Sequence, residues 1–388
     1  MSTLFAFLAV LLCLPGVLVI AEVLLGLFHH ASAESPPPVD ERFSSAVLVP
    51  AHNEAAGIAD TVRAFVAECG PKGRVVVVAD NCTDDTAKLA ERAGATVLVR
   101  HDETRRGKGY ALEFGRAGLA ADPPDIVVIA DADCRFAPGT LRALVWRAGQ
   151  EKRPIQTGNH LELPEHPDPK RCVAAFAWMI KTWFRPLGLA SLGLPCQIMG
   201  TGFAVPWRAW SAVPLASGNI VEDVQLGLDL AALGYFTRFA PDLRITSPFP
   251  STDRGFASQR QRWEEGALRT AFSSAPRVLM RSLGQRNWRM AILAADLMVP
   301  PLMMLLVAMC AAMALAALFG MGLAFEILAV VFAGLFLVLV AAWVIEGRNV
   351  LPPGMLVRVP GVIGRKVLSY WTMWRSRGAG WVRTDRES

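Results

Sequence analysis

Pairs of acidic residues are the part of this sequence best suited to chemistry. Asp131-Ala132-Asp133 directly follows the apolar run 126–130, and Glu222-Asp223 opens a segment whose apolar residues have helical spacing. An Asp-x-Asp at the end of a buried strand is suited to hold Mg²⁺ or Mn²⁺ against a diphosphate. Acidic residues in the first turn of a helix often only complement the helix dipole, so both interpretations of Glu222-Asp223 are open at this point.

Two further polar segments follow predicted strands. Pro50-Ala51-His52-Asn53-Glu54 comes after the first strand, and Asp80 comes after the second. In parallel α/β sheets the ligand binds beyond the carboxyl ends of the strands, so these residues and Asp131 are expected at one edge. Later in the chain, Gln259-x-x-Arg262-Trp263 groups an amide, a cation and an indole. A basic amphipathic helix lying on a membrane is the alternative explanation of that segment.

Two glycine-rich segments predict turns. Arg105-Arg106-Gly107-Lys108-Gly109 looks like a phosphate-binding loop, but it lacks the earlier Gly and the following Ser or Thr of the Walker pattern. We therefore exclude a P-loop and keep two interpretations, a basic turn near a nucleotide and a plain solvated turn. Met199-Gly200-Thr201-Gly202-Phe203-Ala204 predicts a tight turn that lets a ligand approach the backbone.

A parallel sheet would position these residues. Four short, nearly continuous apolar runs rich in β-branched residues predict buried parallel strands, at 46–49, 75–79, 96–99 and 126–130. Helical patterns lie between them. This alternation of strands and helices predicts an α/β domain with crossover helices.

The composition of the 388-residue chain excludes several classes of protein. Hydrophobic residues make up 53% and charged residues 19%, which is too apolar for a disordered protein and high for a soluble enzyme. The net charge of +5 argues against a strongly basic nucleic-acid binder. Seven scattered cysteines without a Cys-x-x-Cys pair predict reduced thiols rather than a zinc site or a disulfide framework.

Three apolar segments predict membrane spans. Leu4–Phe28 is apolar apart from Glu22, and the absence of a basic region before it favours an uncleaved anchor over a signal peptide. The second segment, Met290–Leu318, contains Asp296 and a Pro-Pro pair, and a tight hairpin at 319–322 joins it to the third, Leu323–Ile345.

The charge of the C-terminal tail predicts the orientation. Residues 347–388 contain eight Lys or Arg against two acids, so the tail is expected in the cytoplasm together with residues 29–289. Trp371, Trp374 and Trp381 favour a tail at the membrane interface over a disordered one. The predicted organisation is transmembrane helix 1 at 1–30, a stiff linker with Ser35-Pro36-Pro37-Pro38 at 31–43, a cytoplasmic domain at 44–250, the Gln-x-x-Arg-Trp segment and interfacial helices at 251–289, two transmembrane helices at 290–346 and the basic tail at 347–388.

The ordered set of motifs resembles a known family. Asp80, Asp131-x-Asp133, Glu222-Asp223 and Gln259-x-x-Arg262-Trp263, placed between membrane spans, are similar to the motifs of membrane-embedded family 2 glycosyltransferases. These are the synthase-type enzymes that make cellulose, chitin, hyaluronan and poly-N-acetylglucosamine. The resemblance covers residues 44–265 and the flanking spans. It implies a GT-A-like α/β domain with a central, mostly parallel sheet, one transmembrane helix before it and two after it.

The resemblance implies a role for each donor-site motif. Glu54 and Asp80 would bind the base and ribose of a nucleotide sugar, with help from Lys108. Asp131 would face the ribose or the sugar, and Asp133 would ligate Mg²⁺ or Mn²⁺, which neutralises the departing nucleoside diphosphate. Gln259 and Arg262 would bind that diphosphate through amide and guanidinium contacts.

The remaining motifs would serve the acceptor. Asp223 would be the general base that takes a proton from the acceptor hydroxyl, with Glu222 beside it in the substrate site. Trp263 would offer an apolar face to an acceptor sugar, and Gly200-Thr201-Gly202 would line the acceptor site. One base and a single displacement predict inversion of the anomeric configuration.

The implied function is metal-dependent transfer of a sugar, from a UDP-linked donor, in cell-surface or exopolysaccharide synthesis. The acceptor would be lipid-linked or a growing polysaccharide, at the cytoplasmic face of a bacterial inner (plasma) membrane. Three spans enclose a polymer channel poorly, so partner subunits, a homo-oligomer or single transfer are all open. Membrane lipids are expected partners and nucleic acid is not.

Three alternatives accompany that expectation. The first is a polyprenyl-phosphate sugar synthase, against which the Gln-x-x-Arg-Trp segment argues, since a phosphate acceptor needs no indole. The second is a non-catalytic membrane subunit of a synthesis or export complex, against which the intact motifs argue. The third, a nucleotidyltransferase on a similar sheet, would not need three spans.

Overall fold

A computed structural model describes residues 2–29, 42–215, 222–250 and 252–375 of the chain. The side chains of Ser2 and of residues 368–375 are not described, which includes the indoles of Trp371 and Trp374. The predicted linker segment 35–38 and the tail from residue 376 onward, with Trp381, lie outside the described residues.

Strands and helices alternate through the first half of the chain, as predicted. The strands are β1 (Ser45–Ala51), β2 (Gly73–Asp80), β3 (Thr96–Arg100), β4 (Ile126–Ile129), β5 (Arg135–Phe136), β6 (Ile155–Glu162), β7 (Phe203–Pro206) and β8 (Arg238–Pro248). The α-helices are α1 (Ser2–Phe28), α2 (Ile58–Glu68), α3 (Thr86–Arg92), α4 (Lys108–Leu119), α5 (Thr140–Glu151), α6 (Pro169–Met179), α7 (Arg185–Ser191), α8 (Trp207–Trp210), α9 (Glu222–Ala232), α10 (Asp253–Arg269), α11 (Ala275–Gly284), α12 (Trp288–Leu297), α13 (Leu302–Leu318), α14 (Gly322–Ile345) and α15 (Val359–Arg375). Short π-helical turns at Ile180–Phe184 and Thr270–Ser274 join α6 to α7 and α10 to α11, and 3-10 turns lie at Gly347–Asn349 and Pro353–Arg358.

The chain divides into two compact units, each of which is described by itself. The sheet unit contains residues 30–162, 195–256 and 385–388. The helical unit contains residues 1–29, 163–194 and 257–384.

The sheet unit contains one mixed sheet in the order β3-β2-β1-β4-β7-β6-β8-β5. The four predicted strands form its parallel half, from β3 to β4. β7 runs antiparallel to both β4 and β6, β6 and β8 are parallel, and β5 is antiparallel to β8. The α/β class is therefore confirmed, with four parallel and three antiparallel pairs among the described strands. The sequence did not indicate the antiparallel strands, because those strands are short or mixed in polarity.

Helices cover both faces of the parallel half. Alternate residues of β1 point to opposite faces, so Val47 and Val49 pack with Phe65 of α2 while Leu48 packs with Trp210 of α8. Each face thus removes a continuous set of aliphatic side chains from water, which is the main stabilising contribution of such a sheet. With both faces covered, the carboxyl ends of the strands are where ligands reach this half of the sheet.

In the helical unit, two helices are long and apolar enough to cross a membrane, at Thr3–Phe28 and Gly322–Ile345. These correspond to the first and third predicted spans. The second predicted span is not one straight helix, because α12 and α13 are bent by 74° where they meet at residues 298–301. Pro300 and Pro301 explain the break, since proline has no N–H to donate within a helix and its ring clashes with the preceding turn.

Two glycines let α1 approach α7 closely. A Cβ added at Gly188 would lie 1.9 Å from the carbonyl oxygen of Glu22, and one at Gly26 would lie 2.5 Å from that of Phe184. Small residues at such crossings allow helix backbones to pack in a membrane without a clash.

Next to this crossing, the buried Arg185 donates from Nε to Glu22 at 2.6 Å and forms an ion pair with Asp296 of α12. One guanidinium thus links α1, α7 and α12, and removing any member of this triad would leave an uncompensated buried charge.

Candidate active site

The Asp-x-Asp segment lies at the carboxyl end of β4. The backbone N–H of Asp131 donates to Thr201 Oγ1 at 2.9 Å, so this segment is tied to the turn that precedes β7. Asp131, Asp133 and Cys134 each direct one potential ligand atom to a common point, with these atoms within 4.8 Å of one another. The two carboxylates are half-buried and the thiol is buried.

The chemistry of this donor set fits a hard divalent cation. Carboxylate oxygens suit Mg²⁺ and Mn²⁺, whereas a thiolate suits softer metals. Burial, together with the charges of Asp131 and Asp133, raises the pKa of the Cys134 thiol well above its usual range. That thiol already interacts with Ser247 Oγ at 3.1 Å and Thr201 Oγ1 at 3.4 Å. The oxygens of the two aspartates are therefore the ligands that this segment offers.

Lys108, the first residue of α4, joins three of the predicted motifs. Its Nζ forms an ion pair with the Asp131 carboxylate and donates to the carbonyl oxygen of Gly200 at 2.8 Å. Burial alone would lower the pKa of Lys108, but Asp131, followed by Glu222, raises it to about 12. The ammonium is thus charged and held between the Asp-x-Asp segment and the glycine turn.

The acidic pair begins α9 and shares a pocket with this lysine. The pocket is lined by Lys108, Gly200, Glu222 and Asp223 together with aliphatic and aromatic side chains, among them Leu112, Phe203, Leu215 and Leu226. Burial, and then the charge of Asp223, raises the pKa of Glu222 to about 7. Gly200 has φ +79°, and a Cβ there would lie 3.4 Å from Asp223 Oδ2. The acidic pair therefore lines a pocket, which a dipole complement alone does not require.

Asp80 ends β2 next to a cation, Arg100, that none of the sequence motifs includes. Arg100 ends β3 in register with Asp80, and its Nη1 donates to Asp80 Oδ1 at 2.6 Å. Arg100 also donates to the carbonyl oxygen of Arg105 at 2.7 Å, and its guanidinium lies 5.8 Å from the ring centre of Tyr110. The sequence contains a hint of this pair, because neighbouring parallel strands that end at the same level place their last residues, here Asp80 and Arg100, side by side.

The loop that carries Glu54 is tied to the loop after β2. The backbone N–H of Glu54 donates to Thr86 Oγ1 at 2.8 Å. Asn53, in the left-handed region at φ +54°, exchanges hydrogen bonds with Thr83 at 2.8 and 3.0 Å. Glu54 is half-buried. The strand-end loops of β1 and β2 therefore form one continuous rim, as the parallel sheet predicts.

The Gln-x-x-Arg-Trp residues lie on α10 within the helical unit. Trp263 stacks on Trp178 of α6 with ring centres 4.4 Å apart and an interplanar angle of 25°. The ammonium of Lys181 lies 5.5 Å from the ring centre of Trp178. Gln259 and Arg262 are half-buried on the same helix.

The neighbouring Glu264 fixes that helix to α15. It is buried and accepts hydrogen bonds from Arg260 Nε at 3.0 Å and Lys366 Nζ at 2.7 Å. The segment around Trp263 is thus held by both an aromatic stack and a buried ion-pair network.

The sheet unit has the features of a GT-A-like glycosyltransferase fold: a mixed sheet with acidic residues at its strand ends, a lysine between two acidic segments and a pocket beside them. Residues 43–266 match the family described as "Glycosyltransferase like family 2". The chain belongs to this family of glycosyltransferases.

Relatives and a solved structure agree with that assignment. "Probable glycosyltransferase YdaM" of Bacillus subtilis is 27% identical over 244 residues, which are 57% of this chain and 54% of that protein. This chain thus spans about half the length of that relative. An "Undecaprenyl-phosphate 4-deoxy-4-formamido-L-arabinose transferase" of Pseudomonas paraeruginosa is 32% identical over 122 residues, 30% of this chain and 34% of that one.

The structure of the mannosyltransferase PcManGT from Pyrobaculum calidifontis, in complex with GDP-Man and Mn²⁺, superposes with a TM-score of 0.53. It is 20% identical, and the match covers 89% of this chain and 100% of that one, which supports the fold.

Proposed function

We propose that this glycosyltransferase moves a sugar from a UDP-linked donor to a hydroxyl of a lipid-linked or growing polysaccharide acceptor, with inversion, in cell-surface or exopolysaccharide synthesis. One observation carries the proposal. The ammonium of Lys108 bonds to Asp131 and to Gly200 in the pocket that Glu222 and Asp223 line, so donor-type and acceptor-type motifs meet in one pocket.

The chain's own residues supply binding and proton transfer. Asp223 is the general base, which takes the proton of the acceptor hydroxyl as that oxygen attacks the anomeric carbon. Lys108 and Asp131 contact the phosphates and the ribose or sugar of the donor, and Glu54 and Asp80 contact its nucleoside. The family resemblance assigns Gln259 and Arg262 to the diphosphate and Trp263 to an acceptor sugar.

Asp133, with Asp131 beside it, would hold Mg²⁺ or Mn²⁺. When bound, such a cation neutralises the nucleoside diphosphate as it departs. The hard-oxygen character of the two carboxylates supports this assignment, and so does their position together at the carboxyl end of β4.

The helical unit supports work at a membrane surface. Besides the two helices of spanning length, residues 270–289 expose Phe272, Met280, Leu283 and Trp288. Four exposed arginines accompany them and no acidic residue occurs between Glu265 and Asp296, which is the composition of a helix lying on an anionic bilayer. We assign these residues to interfacial helices. The positive charge of the C-terminal tail places them on the cytoplasmic side in the proposed topology.

A second candidate, transfer to a polyprenyl phosphate, is favoured by the Pseudomonas relative named for an undecaprenyl-phosphate acceptor. The two functions differ in their need for a base. A phosphate acceptor is already ionised at neutral pH, whereas a sugar hydroxyl must lose its proton during the attack.

The test is nucleotide release from a panel of UDP- and GDP-sugars by the purified chain in nanodiscs, with membrane lipid extract as acceptor and with or without Mn²⁺. Asp223→Asn should lower transfer by ~10²–10⁴-fold while donor binding changes little, because only the base is removed. Asp60→Asn, which removes an exposed acid on α2, is the matched control.

Each outcome favours one function. Retained transfer by Asp223→Asn to a lipid phosphate would favour the second candidate, and full activity in excess EDTA would exclude the metal. Absence of release from every donor, with every acceptor, would contradict both candidates.

A further inference from the structure

A fully buried amide holds the glycine turn of the pocket. Gln156 lies on β6 with none of its surface exposed. Its Nε2 donates to three backbone carbonyl oxygens, those of Thr201 at 2.9 Å, Thr157 at 3.1 Å and Gly202 at 3.2 Å. Its Oε1 accepts from the N–H of Met199 at 2.9 Å. The side chain is therefore satisfied at both ends, and three of its four partners belong to the turn Met199–Gly202.

Fully buried positions of a strand, such as that of Gln156, usually carry an apolar side chain. A buried amide without partners is strongly unfavourable, and a satisfied one contributes little net stability compared with a well-packed apolar residue. The amide of Gln156 does more for shape than for stability, because its bonds define where the backbone of the turn lies.

The turn needs such a restraint. Gly200 and Gly202 both have positive φ, at +79° and +67°, a region that glycine tolerates but does not prefer over others. Thr157 helps from the same strand, since its Oγ1 donates to the carbonyl oxygen of Gly202 at 2.9 Å. A Cβ at Gly202 would lie 2.6 Å from that same Oγ1, so the turn sits tightly against β6.

The turn in its present shape completes the pocket. The carbonyl oxygen of Gly200 accepts from Lys108, and Thr201 Oγ1 accepts from the N–H of Asp131. The direction that a Cβ of Gly200 would take points to Asp223. A shift of the turn would therefore remove one of the two contacts of the lysine, which Asp131 would still hold in place, and would open the wall beside the proposed base.

We propose that Gln156 is a positioning residue for glycosyl transfer, which fixes the turn Met199–Gly202 and through it the distance between the donor-side lysine and the acceptor-side base. The inference rests on the proposed function. Gln156 contacts no reacting atom, so its loss should impair transfer to an acceptor more than binding of the donor. Misplacement of a reacting group by about 1 Å can cost ~10²-fold in rate.

The experiment compares Gln156→Met, which keeps length and apolar packing, with Thr157→Val, which removes one donor to the same turn. Gln150→Met is the matched control at an exposed site of α5, and Leu144→Ala is the control for lost core stability. For each variant, kcat of transfer, KM for the donor, the rate of donor hydrolysis by water, and hydrogen exchange of the peptide 196–203 are measured.

We expect Gln156→Met to lower kcat of transfer by ~10–10²-fold, with donor KM and donor hydrolysis within about threefold of wild type. Exchange in 196–203 should rise at least tenfold while that of 75–80 does not change, and Thr157→Val should show a smaller version of both effects.

Equal loss of transfer in Gln156→Met and Leu144→Ala, or unchanged exchange in 196–203, would overturn the inference. If Gln156→Met does not fold, an unaltered ratio of transfer to hydrolysis in Thr157→Val would overturn it as well. If the wild-type protein transfers no sugar, the proposed function is contradicted instead. The exchange measurement would still show whether Gln156 fixes the turn, because it does not depend on activity.

Discussion

Asp80 ends β2 and Asp131 lies just beyond β4 in the parallel half of the sheet, yet each is paired with a different kind of cation. The Asp80–Arg100 pair is buried, with 12% and 7% of the side chains exposed. In the Asp131–Lys108 pair these fractions are 39% and 22%. The first pair mainly supports the framework of the site, and only the small exposed part of Asp80 is left for the proposed nucleoside contact. The second pair is open enough for a ligand to replace one partner.

The chemistry of the two cations supports the contrast. Arg100 is held at several points, by the carboxylates of Asp80 and Asp102, by a backbone carbonyl and by the ring of Tyr110. A planar guanidinium fixed in this way has little freedom to turn toward a substrate. Lys108 carries a compact charge on a flexible stem, so it can exchange a carboxylate for a phosphate at little cost.

The largest expected effect comes from breaking the buried pair. Asp80→Asn removes the closer of the two carboxylates that pair with the buried Arg100 and leaves only Asp102, at 3.2 Å. The free energy of unfolding should therefore fall by about 3 kcal/mol, the lower end of what removing one partner of a buried pair costs. Chemical denaturation of the purified chain in detergent measures this. Asp60→Asn removes a pair that is exposed on both sides and should cost about 0–1 kcal/mol. Unchanged stability of Asp80→Asn would remove the distinction between the two aspartates.

Lys108→Met tests the other half of the comparison. Transfer should fall by ~10²-fold, because a charge-assisted contact to the donor is lost, while the free energy of unfolding changes by about 1 kcal/mol or less. Initial rates and denaturation of the same preparation measure both quantities. Lys88→Met, at an exposed pair on α3, is the control. A large loss of stability with little loss of transfer would make Lys108 a framework residue like Arg100.

Glu222 provides the smallest and most specific test. Lys108, whose charge acts on Glu222, already forms an ion pair with Asp131. The pKa of Glu222 is raised from 4.5 to about 7, so the folded protein keeps a proton that the unfolded chain has lost between these values. This stabilisation is complete below pH 4.5 and is lost as the pH rises through about 7. Glu222→Gln lacks this dependence, so its melting temperature should exceed that of wild type by more at pH 8 than at pH 5. An equal difference at both values would mean that Lys108 is shared between the two carboxylates.

The parallel half of the sheet could be predicted from the sequence. Runs such as Val75–Ala79 are apolar and β-branched without interruption, and buried parallel strands produce that pattern. The position of Asp131 at a strand end followed directly from it. The first and third apolar segments were also predictable, because their length and hydropathy suffice for a membrane span.

Contacts between distant parts of the chain could not be predicted in the same way. Gln156 and the carbonyl of Thr201 are 45 residues apart in sequence, and β6 and β7 meet only in the folded sheet. Arg100 lay one residue beyond the predicted end of its strand. The break at Pro300 was visible as a Pro-Pro pair, but only the bent helices show that it divides the second apolar segment in two.

The triad of Glu22, Arg185 and Asp296 has a consequence for how the chain is made. Arg185 follows Glu22 by 163 residues, and Asp296 follows Arg185 by 111. At ~5–20 residues per second, a ribosome needs roughly 8–33 s to deliver Arg185 after Glu22 has been synthesised. During that interval the first apolar helix carries an acidic side chain whose partner does not yet exist. In the proposed membrane-spanning arrangement, stable insertion of this helix therefore waits for synthesis of nearly half of the protein, and early truncation products should be retained by the insertion machinery or degraded.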